Sequence, residues 1–355
     1  MTKKRRQQSF KTALTTVTLV ALGALIYTVR AQIADTITNL GEVNRYALLL
    51  MLVAQTLNYH SYTKMYQYML RILDHKISYR RMLRIVSELN FVNNVFPSGG
   101  VSGFSYFGMR MRARGANTGT ATFVQMMRFI LIFISFQILL GTGLIILAID
   151  GGVNNLVMLI AGGISTLMVV GSLFAVYIIG SKQRIKSFSL TITKIVNRFI
   201  QTVRPKSPET ISLDGVEKAM GDLHDNYQIF KSDWGLLLKP LAYGLLANIA
   251  EITTIYVVYI AFGYWPNPGA IILAYSIANF AGLVSVLPGG VGIYEGLMTA
   301  VLATAGVPAG VSLPVTIMYR VLNMTIQLPP GYYFYHNTVV NNKLVKKPKG
   351  APVRG

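Results

Sequence analysis

Phe96-Pro97-Ser98-Gly99-Gly100-Val101 and Leu287-Pro288-Gly289-Gly290-Val291 each interrupt an apolar stretch that would otherwise continue as a membrane helix. Proline removes a backbone donor and paired glycines permit a sharp turn, so neither stretch is expected to run through unbroken. Broken backbone is tolerated at membrane depth only where protein or a wet cavity satisfies its freed N–H and C=O groups. A matched pair of such breaks, one in each half of the chain, points to a transporter-type binding site near the bilayer midplane.

The setting of these breaks is a chain of 355 residues, 52% hydrophobic and 13% charged, with apolar runs such as Leu156 to Ile179 long enough to cross about 30 Å of hydrocarbon. Alternation with a period of two is absent, which argues against a β-barrel. The expected fold class is therefore all-α: a polytopic membrane helical bundle. The net charge of +20 does not suggest nucleic acid, because Lys and Arg gather at segment ends rather than on one basic face with stacking aromatics. There is no cysteine, which removes disulfide and thiolate chemistry. Lys3-Lys4-Arg5-Arg6 before the apolar Thr12 to Val29 has the outline of a signal peptide, but the length of the apolar part and Arg30 after it favour a retained anchor.

Six full spans are expected, at about 12–29, 46–70, 119–149, 154–180, 235–264 and 311–338. The arms on either side of the breaks, 82–96 with 101–113 and 269–287 with 291–306, are mostly too short to cross alone, a crossing needing ~20 apolar residues. Each pair is expected to form a re-entrant hairpin, at 82–113 and 269–306. If the basic N-terminus is cytoplasmic, the basic clusters at 71–84, 110–114, 182–206 and 343–354 all fall inside, and the loops 151–154, 264–269 and 305–311 fall outside without charge. Asn58, His60 and Lys64 make the second span the weak point of this count.

The second hairpin has no charge at its mouth and follows an odd number of spans, so it is expected to enter from the opposite face. The two units then form inverted repeats, each a broken hairpin followed by a span with an arginine, Arg128 or Arg320. Pro97 precedes Arg128 by 31 positions and Pro288 precedes Arg320 by 32. The chain divides into a basic cytoplasmic N-terminus (1–11), a first membrane half (12–180), a cytoplasmic amphipathic helical connector (181–233), a second membrane half (234–340) and a basic cytoplasmic tail (341–355). The basic part of the connector, 181–206, suits an anionic leaflet surface. The implied location is the plasma membrane, with both termini cytoplasmic.

Charges within a bilayer are costly and mark pairs, paths or ligand sites. Lys64, Arg128 and Arg320 balance Glu88, Glu251 and Glu295 in number. Arg320 suits a phosphate headgroup, since a guanidinium binds it through two parallel hydrogen bonds and stays charged at depth. It equally suits an ion pair with Glu295, and the two can alternate. Arg128 has the same reading, or snorkels to the interface. Glu251 is a candidate proton relay or a partner of Lys64, and Glu88 is a candidate relay or ion-pair member. Gly99, Gly100, Gly289 and Gly290 permit the breaks and start helices whose N–H groups would welcome phosphate, although small residues also serve tight packing. Asn90, Asn93, Asn94, Asn279 and Asn323 would line a polar cavity or bond between helices. Tyr332, Tyr333 and Tyr335 fit an interfacial belt. His60 has no ligand partner at metal spacing, so neither a metal nor a cofactor is expected.

Val286-Leu287-Pro288-Gly289-Gly290-Val291-Gly292-Ile293-Tyr294-Glu295-Gly296, followed by Tyr319-Arg320, resembles the signature of the lysylphosphatidylglycerol synthase transmembrane-region family. The segment from Pro97 to Val101, with Gly115 before the next span, looks like that family's first-half motif. The resemblance covers about 12–338. It implies a flippase-like membrane domain, which in fused enzymes moves a modified lipid between leaflets beside a soluble aminoacyl-transferase domain. No counterpart of that domain follows the sixth span here, so synthase activity is not expected. Stand-alone members are thought to handle isoprenoid-linked or glycerol-based lipids, which leaves the substrate open.

The functional expectation is a transporter moving a phosphate-bearing lipid, whether a phospholipid, an aminoacylated phospholipid or a polyprenyl-linked lipid, by alternating access. Two alternatives remain: a membrane-embedded headgroup transferase or an accessory subunit of one, and a small-solute secondary transporter. Membrane lipids are the expected partners, nucleic acid is not, and a homo-oligomer is compatible with this architecture.

Overall fold

Lipid offers the backbone no hydrogen bonds, so a chain this apolar satisfies its own amides within helices. The computed structural model describes residues 3–96, 101–149, 155–203, 213–284 and 290–340. In chain order the helices are α1 (Lys3–Thr28), α2 (Arg30–Leu40), α3 (Arg45–Leu48), α4 (Leu50–Ile72), α5 (Tyr79–Val95), α6 (Val101–Arg112), α7 (Thr118–Ile149), α8 (Asn155–Ile179), α9 (Lys182–Val203), α10 (Leu213–Ser232), α11 (Leu238–Ala261), α12 (Pro268–Val284), α13 (Ile293–Thr304) and α14 (Ala309–Val340), with a 3-10 turn at Trp234–Leu237. No strand occurs among the described residues, and the fold is an all-α membrane bundle.

The segments at Thr118–Ile149, Met158–Ile179 and Trp234–Ala261 are long and apolar enough to cross a membrane, and α1 with α2 makes a fourth if the bent pair counts as one span. The remaining two expected spans, α4 and α14, are 23 and 32 residues long, about 35 and 48 Å, but carry polar side chains through their middles. Those polar positions turn out to be shared between the two helices. The stretch between the first two expected spans, after position 29, is largely helical: α2 continues from α1 through a 57° bend at Val29.

Cross-helix contacts fix the relative directions. In the first hairpin Ser102 Oγ reaches Val92 O, Tyr106 reaches Glu88, and a Cβ on Gly103 would meet Asn93, so α5 and α6 run antiparallel. Helix α14 runs antiparallel to α5, through Phe91 with Tyr332 and Glu88 with Thr338, and to α11, through Glu251 with Asn323 and Tyr259 with Thr316. Helix α4 opposes α11 (Asn58 with Ala247, Gln55 with Thr254) and α7 (Tyr66 with Gln125, Tyr62 with Arg128). Helix α12 opposes α7, since a Cβ on Gly143 would touch Ile272 and one on Gly269 would touch Leu147 N. These directions put α5 and α12, the leading arms of the two hairpins, head to head. Thr18 of α1 meets Tyr335 near the end of α14, while Gln32 of α2 reaches Glu295, the partner of Arg320 in the first half of α14, so α1 and α2 run antiparallel to α14.

Apolar packing falls into two clusters stacked along the helix axes. One holds Met65 to Leu70 of α4 with Leu73 just after it, Met82 to Val95 of α5, Phe123 to Leu131 of α7 and the end of α14 at Tyr335 and Val339. The other holds Met51 of α4, Ile132 to Leu147 of α7, Ile255 to Tyr259 of α11, most of α12 and α13, and Val315 to Tyr319 of α14. Each cluster surrounds one hairpin. Because lipid tails are as apolar as leucine, close packing and hydrogen bonds hold such clusters together rather than the hydrophobic effect. One close approach involves Gly331 of α14: a Cβ there would lie 2.7 Å from both Phe91 Cβ and Ser87 O of α5.

Several local expectations are corrected. Tyr335 is buried against Phe91 and Tyr106 rather than standing in an interfacial belt, although Tyr333 is exposed. Arg110, grouped above with loop charges, is 5% exposed and bound to Glu88. No correction applies to the helical connector, in which α9 and α10 pack on each other and an exposed Lys182–Asp225 ion pair of 2.8 Å links the start of α9 to α10.

Candidate functional site

Between the two apolar clusters lies a polar layer, and within it a cavity of about 210 Å³. Its wall takes Asn58 and Tyr62 from α4, Asn90 and Asn94 from α5, Glu251 from α11, Tyr275 and Asn279 from α12, Tyr294 from α13, and Tyr319, Arg320, Asn323, Met324 and Gln327 from α14. Asn90 and Asn94 lie in the last two turns of α5, while Tyr275 lies in the middle of α12 and Asn279 one turn further towards the break. The leading arms of the two opposed hairpins therefore reach a single chamber.

Glu251 organises the chamber's wall. One carboxylate oxygen accepts from the Tyr319 hydroxyl and from Asn323 Nδ2 at 2.7 Å, and the other from Gln55 Nε2 at 3.0 Å and Asn58 Nδ2 at 3.1 Å. Gln327 Nε2 extends the network to Gln55 Oε1 and Asn323 Oδ1, both at 3.0 Å. Four neutral donors thus hold the carboxylate, and among the described residues no cation lies within ion-pair distance of it. The expected Glu251–Lys64 pair does not form, because Lys64 lies elsewhere, over the Tyr79 ring at 5.7 Å.

Glu295 and Arg320 form the second polar centre. Arg320 Nη1 is 2.5 Å from Glu295 Oε1, and both residues are buried. The same oxygen accepts from Gln32 Nε2 of α2 at 2.9 Å, while Oε2 accepts from the backbone N–H of Gly292 at 2.7 Å. Gly290 and Gly292 have φ of 66° and 85°, the left-handed backbone that glycine adopts without strain, and this folds the chain back so that Glu295 caps its own helix. A phosphate was expected at the start of α13, where unpaired N–H groups favour anions. Glu295 occupies that position itself, and it also neutralises the arginine beside it. The guanidinium lies 5.1 Å from the Tyr294 ring centre.

The other candidates are distributed unequally. Arg128 stands behind Tyr62 rather than in the cavity wall: its guanidinium is 5.4 Å from the Tyr62 ring and 6.0 Å from Tyr66, and its buried Nε has no hydrogen-bond partner among the described residues. Glu88 pairs with Arg110 at 2.8 Å and accepts from Tyr106 at 3.1 Å and Thr338 at 2.7 Å, so it ties α5, α6 and α14 together at a distance from the chamber. Asn94 does line the chamber and donates to Asn90 O at 2.8 Å, but Asn93 is packed against Gly103 inside the first hairpin. Gly99, Gly100 and Gly289 lie outside the described residues.

The residues that sequence reasoning did not weigh are Gln55, Gln327 and Gln32. A signal for two of them exists: Tyr319, Asn323 and Gln327 recur every four residues on one face of α14, and Gln55 and Asn58 share a face of α4. Gln32 had no such signal, because the bend that lays α2 on α14 and brings Gln32 to α13 is not encoded by any proline or glycine at Val29.

A family model described as the lysylphosphatidylglycerol synthase TM region matches residues 13–331. Three proteins of Methanothermobacter thermautotrophicus, each described as a UPF0104 membrane protein, are similar to this chain. One is 24% identical over 51% of this chain and 53% of its own length, and another is 30% identical over 25% and 27%. The third is 21% identical over 82% of this chain and 83% of its own length. The chain thus spans about half or less of the first two relatives, and most of the third.

Proposed function

Because this chain belongs to the lysylphosphatidylglycerol synthase transmembrane-region family, we propose that it is an integral membrane transporter of a phosphate-bearing lipid, working in the plasma membrane of a prokaryote. The observation that carries the proposal is the chamber itself: a polar cavity at the meeting point of two opposed broken hairpins, walled by amides, tyrosine hydroxyls and one edge of a buried ion pair. A bundle in lipid has no reason to keep such a layer for packing alone, since each polar group there must find a partner or cost free energy.

In this reading the headgroup enters the chamber and its phosphate takes Arg320 from Glu295. The exchange is close to balanced, because one anion replaces another on the same guanidinium. Displaced, Glu295 keeps Gln32 and the Gly292 N–H, which makes its release from Arg320 less costly. Two arrangements of one ion pair, one with lipid and one without, supply the discrete states that alternating access needs. Asn94, Asn279 and Asn323 then serve the headgroup's uncharged oxygens. Arg128, behind Tyr62, acts by fixing that ring and by adding positive potential to the chamber rather than by touching the phosphate.

The test is reconstitution into liposomes with a panel of fluorescent lipids, comparing wild type with Arg320→Ala. Accelerated movement between leaflets for at least one lipid, lost in the variant while its folded fraction is intact, supports the proposal. No acceleration for any lipid in the panel counts against it.

A further inference from the structure

Helix α14 presents two adjoining stripes to two different spaces. Arg320, Asn323 and Gln327 face the polar chamber, while Val321, Thr325 and Leu328 face an apolar groove of about 350 Å³ whose opposite wall is formed by α1 and α2. Met324 lines both, so one flexible thioether side chain is the sill between them. The groove runs from Leu22 to Ile33 on one side and from Val321 to Tyr332 on the other. The twelve residues of α14 from Val321 to Tyr332 extend about 18 Å, close to one leaflet of a hydrocarbon core about 30 Å thick.

We infer that this groove is a binding site for one hydrocarbon chain of the lipid whose headgroup occupies the chamber, and that the lipid passes over Met324 between the α1–α2 elbow and α14. The inference rests on the transport reading above and adds the route and the second half of the ligand site. Three observations favour a lipid chain as the occupant. The lining is almost wholly aliphatic and aromatic, its length matches a leaflet, and it is continuous with a polar chamber rather than isolated on the surface. The bend at Val29 lies in the groove wall, so α1 and α2 can separate from α14 by hinging at one residue. Because Gln32 of α2 donates to Glu295 and its neighbour Ile33 lines the groove, α2 touches both the tail site and the carboxylate that holds Arg320.

The experiment uses the full chain in liposomes that contain a phospholipid with a photoreactive diazirine in its acyl chain, with wild type, Thr325→Trp and Thr325→Ala. Thr325 is exposed, so an indole there fills the groove mouth without displacing packed atoms. The expected result is that adducts concentrate on residues 22–33 and 321–332, fall at least fivefold in Thr325→Trp and persist in Thr325→Ala. Adducts spread evenly over other lipid-facing surfaces, such as Leu159, Leu167 and Leu173 of α8, would overturn the inference, as would labelling of the groove undiminished by Trp. In parallel, interleaflet movement of the same lipid should drop at least tenfold in Thr325→Trp. Movement at the wild-type rate in that variant also overturns the inference. If wild type moves no lipid yet labelling concentrates in the groove, the transport reading fails and the chain site stands.

Discussion

Arg320→Ala tests the ion pair at the heart of the chamber. The substitution removes the only cation paired with Glu295 among the described residues, where the two side chains are 7% and 5% exposed. Breaking a buried pair at one end costs about 3–5 kcal/mol, because a charge is left uncompensated. Here Glu295 keeps Gln32 and the Gly292 N–H, and its position at a helix N-terminus is favourable by up to about 1 kcal/mol. The net loss is therefore about 2–4 kcal/mol. Glu295→Gln strands the arginine instead and forfeits a charged cap, so a similar loss is expected. The double variant Arg320→Ala with Glu295→Gln has no buried charge at this place, and the new amide oxygen still accepts from Gly292. Its loss should be no larger than that of either single variant. Unfolding in mixed detergent micelles, run as a double-mutant cycle, should return a coupling of roughly 2 kcal/mol or more. If the single losses add to give the double loss within about 0.5 kcal/mol, the pair is not a unit and the argument built on it fails.

Three further outcomes follow from other contacts. Glu251→Gln replaces an acceptor-only carboxylate by an amide whose NH2 must face donors already aimed at it, so about 1–3 kcal/mol of stability and most lipid movement should be lost, read by unfolding and by the liposome assay. Glu88→Ala leaves Arg110 buried and unpaired and should cost about 3–5 kcal/mol, against less than about 1 kcal/mol for Lys182→Ala at the exposed Lys182–Asp225 pair, in the same unfolding assay. Gly331→Ala drives a methyl into Phe91 and Ser87 and should cost about 1–3 kcal/mol, whereas Gly310→Ala meets nothing within 4 Å and should be neutral or stabilising.

The architecture was largely legible because it follows from where apolar runs start, stop and break. Charge placement gave the relative directions of α5 and α12, and the contacts of α14 with α5 and of α12 with α7 carry the same directions. The ion pairs were harder to read. Counting three acids against three bases could not tell that Arg110, at a segment end, would turn inward to Glu88 and leave Glu251 and Arg128 without opposite charges among the described residues. A carboxylate can be satisfied by neutral donors as well as by a cation, and which it finds depends on helix rotation. Nor does the sequence show that α2 packs on α14 and reaches α13 through Gln32, since no breaking residue stands at the Val29 bend. The tyrosines near the end of α14 misled for a related reason: a belt position and a packed core position have the same composition, and only the close approach at Gly331 separates them.

The central claim is that the leading arms of two opposed hairpins frame one chamber through which a headgroup passes. Asn94 and Asn279 both line that chamber, one from each hairpin, in a chain with no native thiol. The decisive measurement is the rate of interleaflet lipid movement by the Asn94→Cys, Asn279→Cys double variant in liposomes, before and after bridging with a short cleavable thiol cross-linker. The account predicts movement before bridging, at least a tenfold fall once the bridge forms, and recovery when the linker is cleaved. Bridged protein that moves lipid at the unbridged rate would contradict it.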